Sequence, residues 1–181
     1  MKSSCGDPPG IVLGISGKIA SGKTTLAKSL SYSLKWPVTS FGDYVRSVAI
    51  KRGLESSERR VLQDIGLELL TDDAAAFCQS VLELGQFESG GNLLIDGIRH
   101  RIVIETLKKL VLPSSFKHIH VGAIDSQRAR RLALEESALQ VLGNHTVESE
   151  IDELIDIADL VLNGDNPVDM LTSSVLAWLA I

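Results

Sequence analysis

Cysteine is scarce in this chain of 181 residues: Cys5 and Cys78 are the only two. Two thiols cannot build a disulfide framework or a four-ligand zinc site, and the pattern fits a reducing cytosol. Positive charge is also in deficit, with 18 Lys and Arg against 23 Asp and Glu and a formal charge of −5. That balance argues against a surface tracking DNA or RNA, while leaving room for a local basic pocket around one small anion. No run of 18 or more apolar residues occurs, so no membrane span is expected. The opening MKSSCGDPPG has no apolar stretch behind Lys2, unlike a secretory signal, and reads as a frayed polar tail. Repeats, low-complexity blocks and long linkers are absent too. What remains, 44% hydrophobic and 23% charged residues, is the composition of one globular domain with a sizeable core.

Patterning supplies the elements. Ile11-Val12-Leu13-Gly14-Ile15 is a β-branched run bounded by Pro8-Pro9-Gly10 and Ser16-Gly17, which predicts a buried strand. A glycine-rich loop and a helix from Lys23 to Lys35 follow, with Leu26, Leu30 and Leu34 at four-residue spacing and Trp36-Pro37 as the stop. Val38 to Phe41 predicts a second strand. Residues 42–85 read as helical, with breaks near Gly53–Ser56 and Thr71–Asp73 and a fresh start at Ser57–Arg60. Leu93 to Asp96 predicts a third strand, Arg99 to Leu112 a helix, His118 to Ile124 a fourth strand and Ser126 to Ser137 a helix. A helix capped at Thr146, a fifth strand from Leu160 to Asn163 and a closing helix from Pro167 to Leu179 complete the series. Strands alternating with helical crossovers imply a parallel sheet covered on both faces, an α/β fold of three αβα layers.

The most specific signal is Gly17-Lys18-Ile19-Ala20-Ser21-Gly22-Lys23-Thr24, which satisfies G-x-x-x-x-G-K-[ST], the Walker A pattern, between a predicted strand and a predicted helix. Glycines let successive peptide N–H groups face one anion, and the helix N-terminus adds about half a positive charge. Lys23 is placed to reach β- and γ-phosphates, and the Thr24 hydroxyl to ligate Mg²⁺. Gly17, Ala20, Ser21, Gly22, Lys23, Thr24 and Thr25 are the expected nucleotide contacts. Asp96 closes a buried strand and is read as a Mg²⁺ partner, or as the cap of the helix that follows. Arg99, just beyond that strand end, is placed to clamp a phosphate, because ligands bind off the carboxyl ends of parallel strands. Asp43 and Arg46 follow the second strand with the same logic, and their alternative reading is a surface ion pair. His100 beside Arg99 is a weaker anion contact. His118 and His120 share a strand face without metal-ligand company, Cys78 reads as a buried thiol, and Trp178 and Leu179 as packing residues.

Taken with Ala158-Asp159-Leu160-Val161-Leu162-Asn163, the blocks Gly17–Thr24, Gly42-Asp43-Tyr44-Val45-Arg46 and Asp96-Gly97-Ile98-Arg99 resemble the P-loop nucleoside and nucleotide kinase-like group, to which adenylate kinases and dephospho-CoA kinases belong. The resemblance runs from Ile11 to Asn166. It implies a P-loop kinase-like domain with a five-stranded sheet, a helical acceptor-binding insert at about 42–87 and a short lid at about 126–145. It implies that Arg46 and Arg99 hold the acceptor's phosphate, and that Asn163, with Gly164 and Asp165, borders the adenine. It further implies that Arg128, Arg130 and Arg131 form the lid's cationic face. Arg128 and Arg131 share a helical face and would reach the transferring phosphates; the other reading is a solvated face paired with Glu135 and Glu136.

The expected activity is therefore an ATP- and Mg²⁺-dependent phosphotransfer to a small phosphorylated acceptor, a nucleotide first of all, in a cytoplasmic monomer or homodimer without nucleic-acid or membrane partners. A hydroxyl acceptor would need Asp43 as base. A regulatory ATPase without a small acceptor is the remaining reading, since the same loop serves it. No Asn-Lys-x-Asp tetrad is present, which favours ATP over GTP by the same resemblance.

Overall fold

The computed structural model describes residues 9–133 and 146–180. Five strands, β1 (Ile11–Ser16), β2 (Val38–Ser40), β3 (Leu93–Ile98), β4 (Ser115–Gly122) and β5 (Leu160–Asn163), form one sheet in the order β2-β3-β1-β4-β5. Every pairing is parallel. Crossovers of α-helix join the strands: α1 (Lys23–Leu34), α2 (Phe41–Lys51), α3 (Arg59–Leu84), α4 (Arg101–Leu110), α5 (Asp125–Leu132) and α6 (Thr146–Glu153), with α7 (Val168–Leu179) closing the chain. Such crossovers leave both sheet faces covered.

Period-two alternation in β1 and β3 assigns each residue to a face. Val12, Leu93 and Ile95 join a core with α2, α3 and α4; Leu13, Ile15 and Leu94 join a second core with α1 and α7. Trp178 and Leu179 pack against the second core as expected, and Cys78 is buried in the first, where desolvation pushes its thiol up to about 12.

Element boundaries move where side chains cap. Ser40 accepts a hydrogen bond from the Asp43 amide, so Phe41 opens α2 instead of closing β2. The break foreseen near Thr71–Asp73 lies at Asp73, whose extended backbone interrupts α3; its Oδ1 accepts the amides of Ala75 and Ala76, both at 2.9 Å, and restarts the helix. Helix α4 begins at Arg101, later than expected, because β3 continues to Ile98 and His100 is extended. Strand β4 starts earlier, at Ser115. The expected end of α5 beyond Ala133 lies outside the described residues, and Thr146, expected as a cap, is the first residue of α6.

At the carboxyl end of β1, just before the glycine-rich loop, a buried polar chain ties β1 to β4. The Ser16 hydroxyl lies 2.7 Å from His118 Nε2 and 3.0 Å from His120 Nδ1. His118 Nδ1 faces the Ile157 carbonyl at 3.4 Å. One proton arrangement satisfies all three groups: His118 Nδ1–H donates to the carbonyl, Ser16 donates to His118 Nε2, and His120 Nδ1–H donates to Ser16. All three side chains are buried, and burial holds both imidazoles below their usual range, His118 at about 4. The paired histidines at period two thus form a neutral internal brace.

Because the unfolded chain binds a proton on His118 near 6.5 and the folded chain near 4, this contribution is fully present above pH 6.5 and is lost as pH falls through that window. Urea unfolding at pH 7 and pH 5 is expected to show about 2 kcal/mol less stability at pH 5 from this group. His118→Gln, which retains a partner for Ser16, should flatten that part of the pH slope. In the second core, Leu94 is fully buried between β1 and β2, and Leu94→Ala should lower the unfolding free energy by about 2–5 kcal/mol in chemical denaturation.

Candidate nucleotide and acceptor site

The loop between β1 and α1 curls over the carboxyl end of the sheet. Gly17 has φ of +145°, and a Cβ there would collide with the Val121 carbonyl and the Ser21 hydroxyl. Ala20 sits at φ of +59°, a left-handed conformation that costs a side-chain-bearing residue about 1–2 kcal/mol. Two arginines of α5 hold this shape from outside. Arg128 Nε donates to the Ile19 carbonyl at 2.8 Å, and Arg131 donates to the Ala20 carbonyl at 2.9 Å and the Gly164 carbonyl at 2.6 Å. Lys18 reaches across to Asp152 of α6 at 2.7 Å. Lys23 Nζ donates to the Lys18 carbonyl at 3.1 Å, folded over the hollow of the loop.

This placement revises the sequence reading of Arg128. It is only 4% exposed and carries a further bond to Asp125 Oδ1 at 2.6 Å, so it props the loop from behind and does not reach out as part of a lid. Arg131 does the same for Ala20 but also lines a cavity beside the loop. Arg131 itself is exposed, and the glutamates of the other reading are not among the described residues. The lid segment from 134 to 145, with Glu135 and Glu136, lies outside them.

Two cavities flank the loop. One, of about 640 Å³, is bordered by Ala20, Gly22, Thr25, Arg131 and the turn Gly164-Asp165-Asn166. Asn163, expected to border the adenine, is not part of that lining; its side chain turns back to accept the Asp165 amide at 3.0 Å. Gly164 and Asp165, named with it, do line the cavity, and Gly164 packs so closely on the Ser21 carbonyl that a Cβ would overlap it.

The other cavity, of about 460 Å³, lies between α2, α3 and the end of β3. Its walls carry Phe41, Val45, Leu62 and Phe77; Lys23, Arg46, Arg59 and Arg99 supply its cations and His100 an imidazole. Arg59 and Gln63 were not singled out by sequence: one helical turn apart on α3, they match no motif, and only the fold of α3 over the sheet edge brings them in. Gln63 Nε2 is buried without a hydrogen-bond partner among the described residues. Asp43 is not part of the lining; exposed at the start of α2, it binds Arg46 at 2.6 Å. Its alternative reading as an ion pair therefore describes its contacts, while Arg46 itself still faces the cavity.

Lys23 and Thr24 line both cavities. Beside Thr24 sits Asp96, 6% exposed, whose Oδ2 accepts the Thr24 hydroxyl at 2.6 Å. Its Oδ1 is buried with no donor among the described residues. A carboxylate and a hydroxyl side by side, with one oxygen unsatisfied, suit a small divalent cation that keeps most of its waters and takes its other ligands from phosphates.

Comparison with known proteins agrees with this architecture. The chain is similar to cytidylate kinase from Pyrobaculum calidifontis, 29% identical over 128 residues that cover 70% of this chain and 61% of that protein. Cytidylate kinase from Pyrobaculum arsenaticum is 28% identical over 127 residues, with the same shares. The match thus spans about three fifths of the length of these curated relatives. Among solved structures, gluconokinase from Sinorhizobium meliloti superposes with a TM-score of 0.55 at 14% identity, covering 96% of this chain and 93% of that one. Shikimate kinase from Aquifex aeolicus gives 0.54 at 15% identity, covering 93% and 96%. A family model described as an AAA domain matches residues 13–150, more than half of the sequence. With the strand–loop–helix cradle, the all-parallel five-stranded sheet and that match together, the chain belongs to this family and is a P-loop protein of kinase-like fold.

Proposed function

We propose that this chain is a phosphotransferase that moves the γ-phosphoryl group of ATP, with Mg²⁺, to a small acceptor, a nucleotide first of all. The observation that carries the reading is the sharing of Lys23 and Thr24 between the two cavities. A phosphoryl group held at that junction faces a donor hollow on one side and an acceptor hollow on the other, an arrangement that simple hydrolysis does not require.

In this reading the peptide N–H groups of Gly17–Thr24 cradle the phosphates, Lys23 neutralises the transferring charge, and the turn at Gly164–Asn166 borders the adenine. Thr24 and Asp96 would hold Mg²⁺, which withdraws charge from the phosphate oxygens as transfer proceeds. Arg46 and Arg99 grip the acceptor's phosphate, and helices α2 and α3 form the acceptor-binding cover. The apolar walls formed by Phe41, Val45, Leu62 and Phe77, and the volume of about 460 Å³, suit a nucleoside-sized acceptor. The cytidylate kinases of Pyrobaculum support a nucleotide acceptor. The regulatory ATPase leaves this second cavity without a use. Asp43 as base for a hydroxyl acceptor is weakened by its bond to Arg46 and its place outside the cavity's lining.

An assay of ATP-dependent transfer to a panel of nucleoside monophosphates and small alcohols tests the proposal. Lys23→Ala should lower kcat by at least 100-fold. Arg46→Ala and Arg99→Ala should each raise the acceptor's KM about 10–100-fold while leaving that of ATP within about threefold, as loss of a charge-assisted phosphate contact predicts. ATP turnover indifferent to every acceptor would defeat the reading. In isothermal titration, Asp96→Asn should weaken Mg²⁺-dependent nucleotide binding and leave metal-free nucleotide binding nearly unchanged.

A further inference from the structure

His100 closes the turn after β3, next to Arg99, and lines the acceptor cavity with a side chain about 12% exposed. Its Nδ1 lies 2.6 Å from Glu150 Oε2, on α6. A carboxylate at that distance fixes the proton on Nδ1 and leaves the lone pair on Nε2, which makes no hydrogen bond to any described residue. This is the arrangement of an imidazole oriented by an acid.

Elimination within the cavity narrows its use. Among the described lining residues, only Asp96 and His100 carry a side chain of the kind that serves as a general base. Asp96 already takes the Thr24 hydroxyl at 2.6 Å on the phosphate side. Asp43 is exposed, bound to Arg46 and outside the lining. The same short helix that carries Glu150 also carries Asp152, which binds Lys18 of the phosphate loop at 2.7 Å. Helix α6 therefore fixes the imidazole and the donor loop against a common support.

We propose that His100, oriented by Glu150, is the catalytic residue that takes the proton from the acceptor's attacking oxygen; this rests on the phosphotransfer reading above. The oxygen is one that still carries hydrogen, an alcohol or a singly charged phosphate. As it forms its bond to the γ-phosphorus, the bond from that phosphorus to the β,γ-bridging oxygen breaks and ADP leaves with its electron pair. The proton passes to His100 Nε2 and then to water. Glu150 is a positioning residue, stabilising the imidazolium formed in the step.

Steady-state transfer by the full chain, with alcohol and nucleoside monophosphate acceptors assayed separately, tests this. His100→Ala should lower kcat at least 100-fold with the KM for ATP within about threefold, and added imidazole should restore part of it, which a packing role would not allow. His100→Asn, which keeps a partner for Glu150 but presents no Nε2, should lose as much if His100→Ala proves misfolded. Glu150→Gln should lower kcat about tenfold. Loss with alcohols assigns the hydroxyl source, and loss with monophosphates assigns the protonated phosphate. Wild-type transfer with both His100 variants within threefold of it would overturn this inference alone. A wild-type chain that transfers to no acceptor would overturn the phosphotransfer reading, and this one with it.

Discussion

A loop whose peptide N–H groups all face one anion must dispose of its carbonyl oxygens on the other side, and that requirement organises the neighbourhood of this site. Arg128 takes the Ile19 carbonyl and Arg131 the Ala20 carbonyl, so two guanidinium groups on α5 hold the back of the loop. Each bond involves a charged donor, which is worth about twice a neutral one, and Arg128 is almost wholly withdrawn from water. The left-handed backbone at Ala20 persists because its carbonyl is held in this way. Without such support a glycine-rich segment would sample many shapes, and its amides would converge on nothing.

The sheet carries the same constraint downward. Gly17 follows Ser16 directly, and Ser16 is bolted to His118 and His120 of the neighbouring strand. On the far side, Gly164 bonds to Gly122 and accepts Arg131, linking the end of β5 to the loop. Strands β1, β4 and β5 thus present their carboxyl ends as one rigid rim. A phosphate site on a rim of this kind inherits its precision from the parallel pairing beneath it, because the strands fix the origin of each loop.

The cavity between α2, α3 and the end of β3 is built on different terms. Strands β2 and β3 contribute their ends to it, through Ser40 and Asp96, and α2 and α3 supply most of its other walls. Arg52 and Glu68 form a two-bond ion pair, at 2.8 and 3.0 Å, that joins the end of α2 to the first half of α3. Asp73 then bends α3, so that Phe77 beyond the break and Leu62 before it face the same hollow. The contrast is between a loop shaped by its main chain and a cavity walled by side chains.

The alternation of strand and helix, the parallel sheet and the phosphate loop were legible in the residues, because each rests on local rules: β-branched runs between turn residues, leucines at helical spacing, and a glycine pattern that only a tight anion-binding bend needs. The place of Asp96 and Arg99 in a cavity wall was legible for a related reason, since the cleft of such a fold opens at the carboxyl ends of its strands. What local rules could not determine was the direction in which each side chain spends its charge. Arg128 and Arg131 share a helical face, yet whether that face meets solvent, a transferring phosphate or the back of a loop 109 to 111 residues earlier depends on how α5 lies across β1. Gln63 and Arg59 enter the cavity, Asp43 stays outside it, and Glu150 meets His100 across 50 residues for the same reason. These are long-range meetings between elements, and only the packing of helices on a finished sheet decides them.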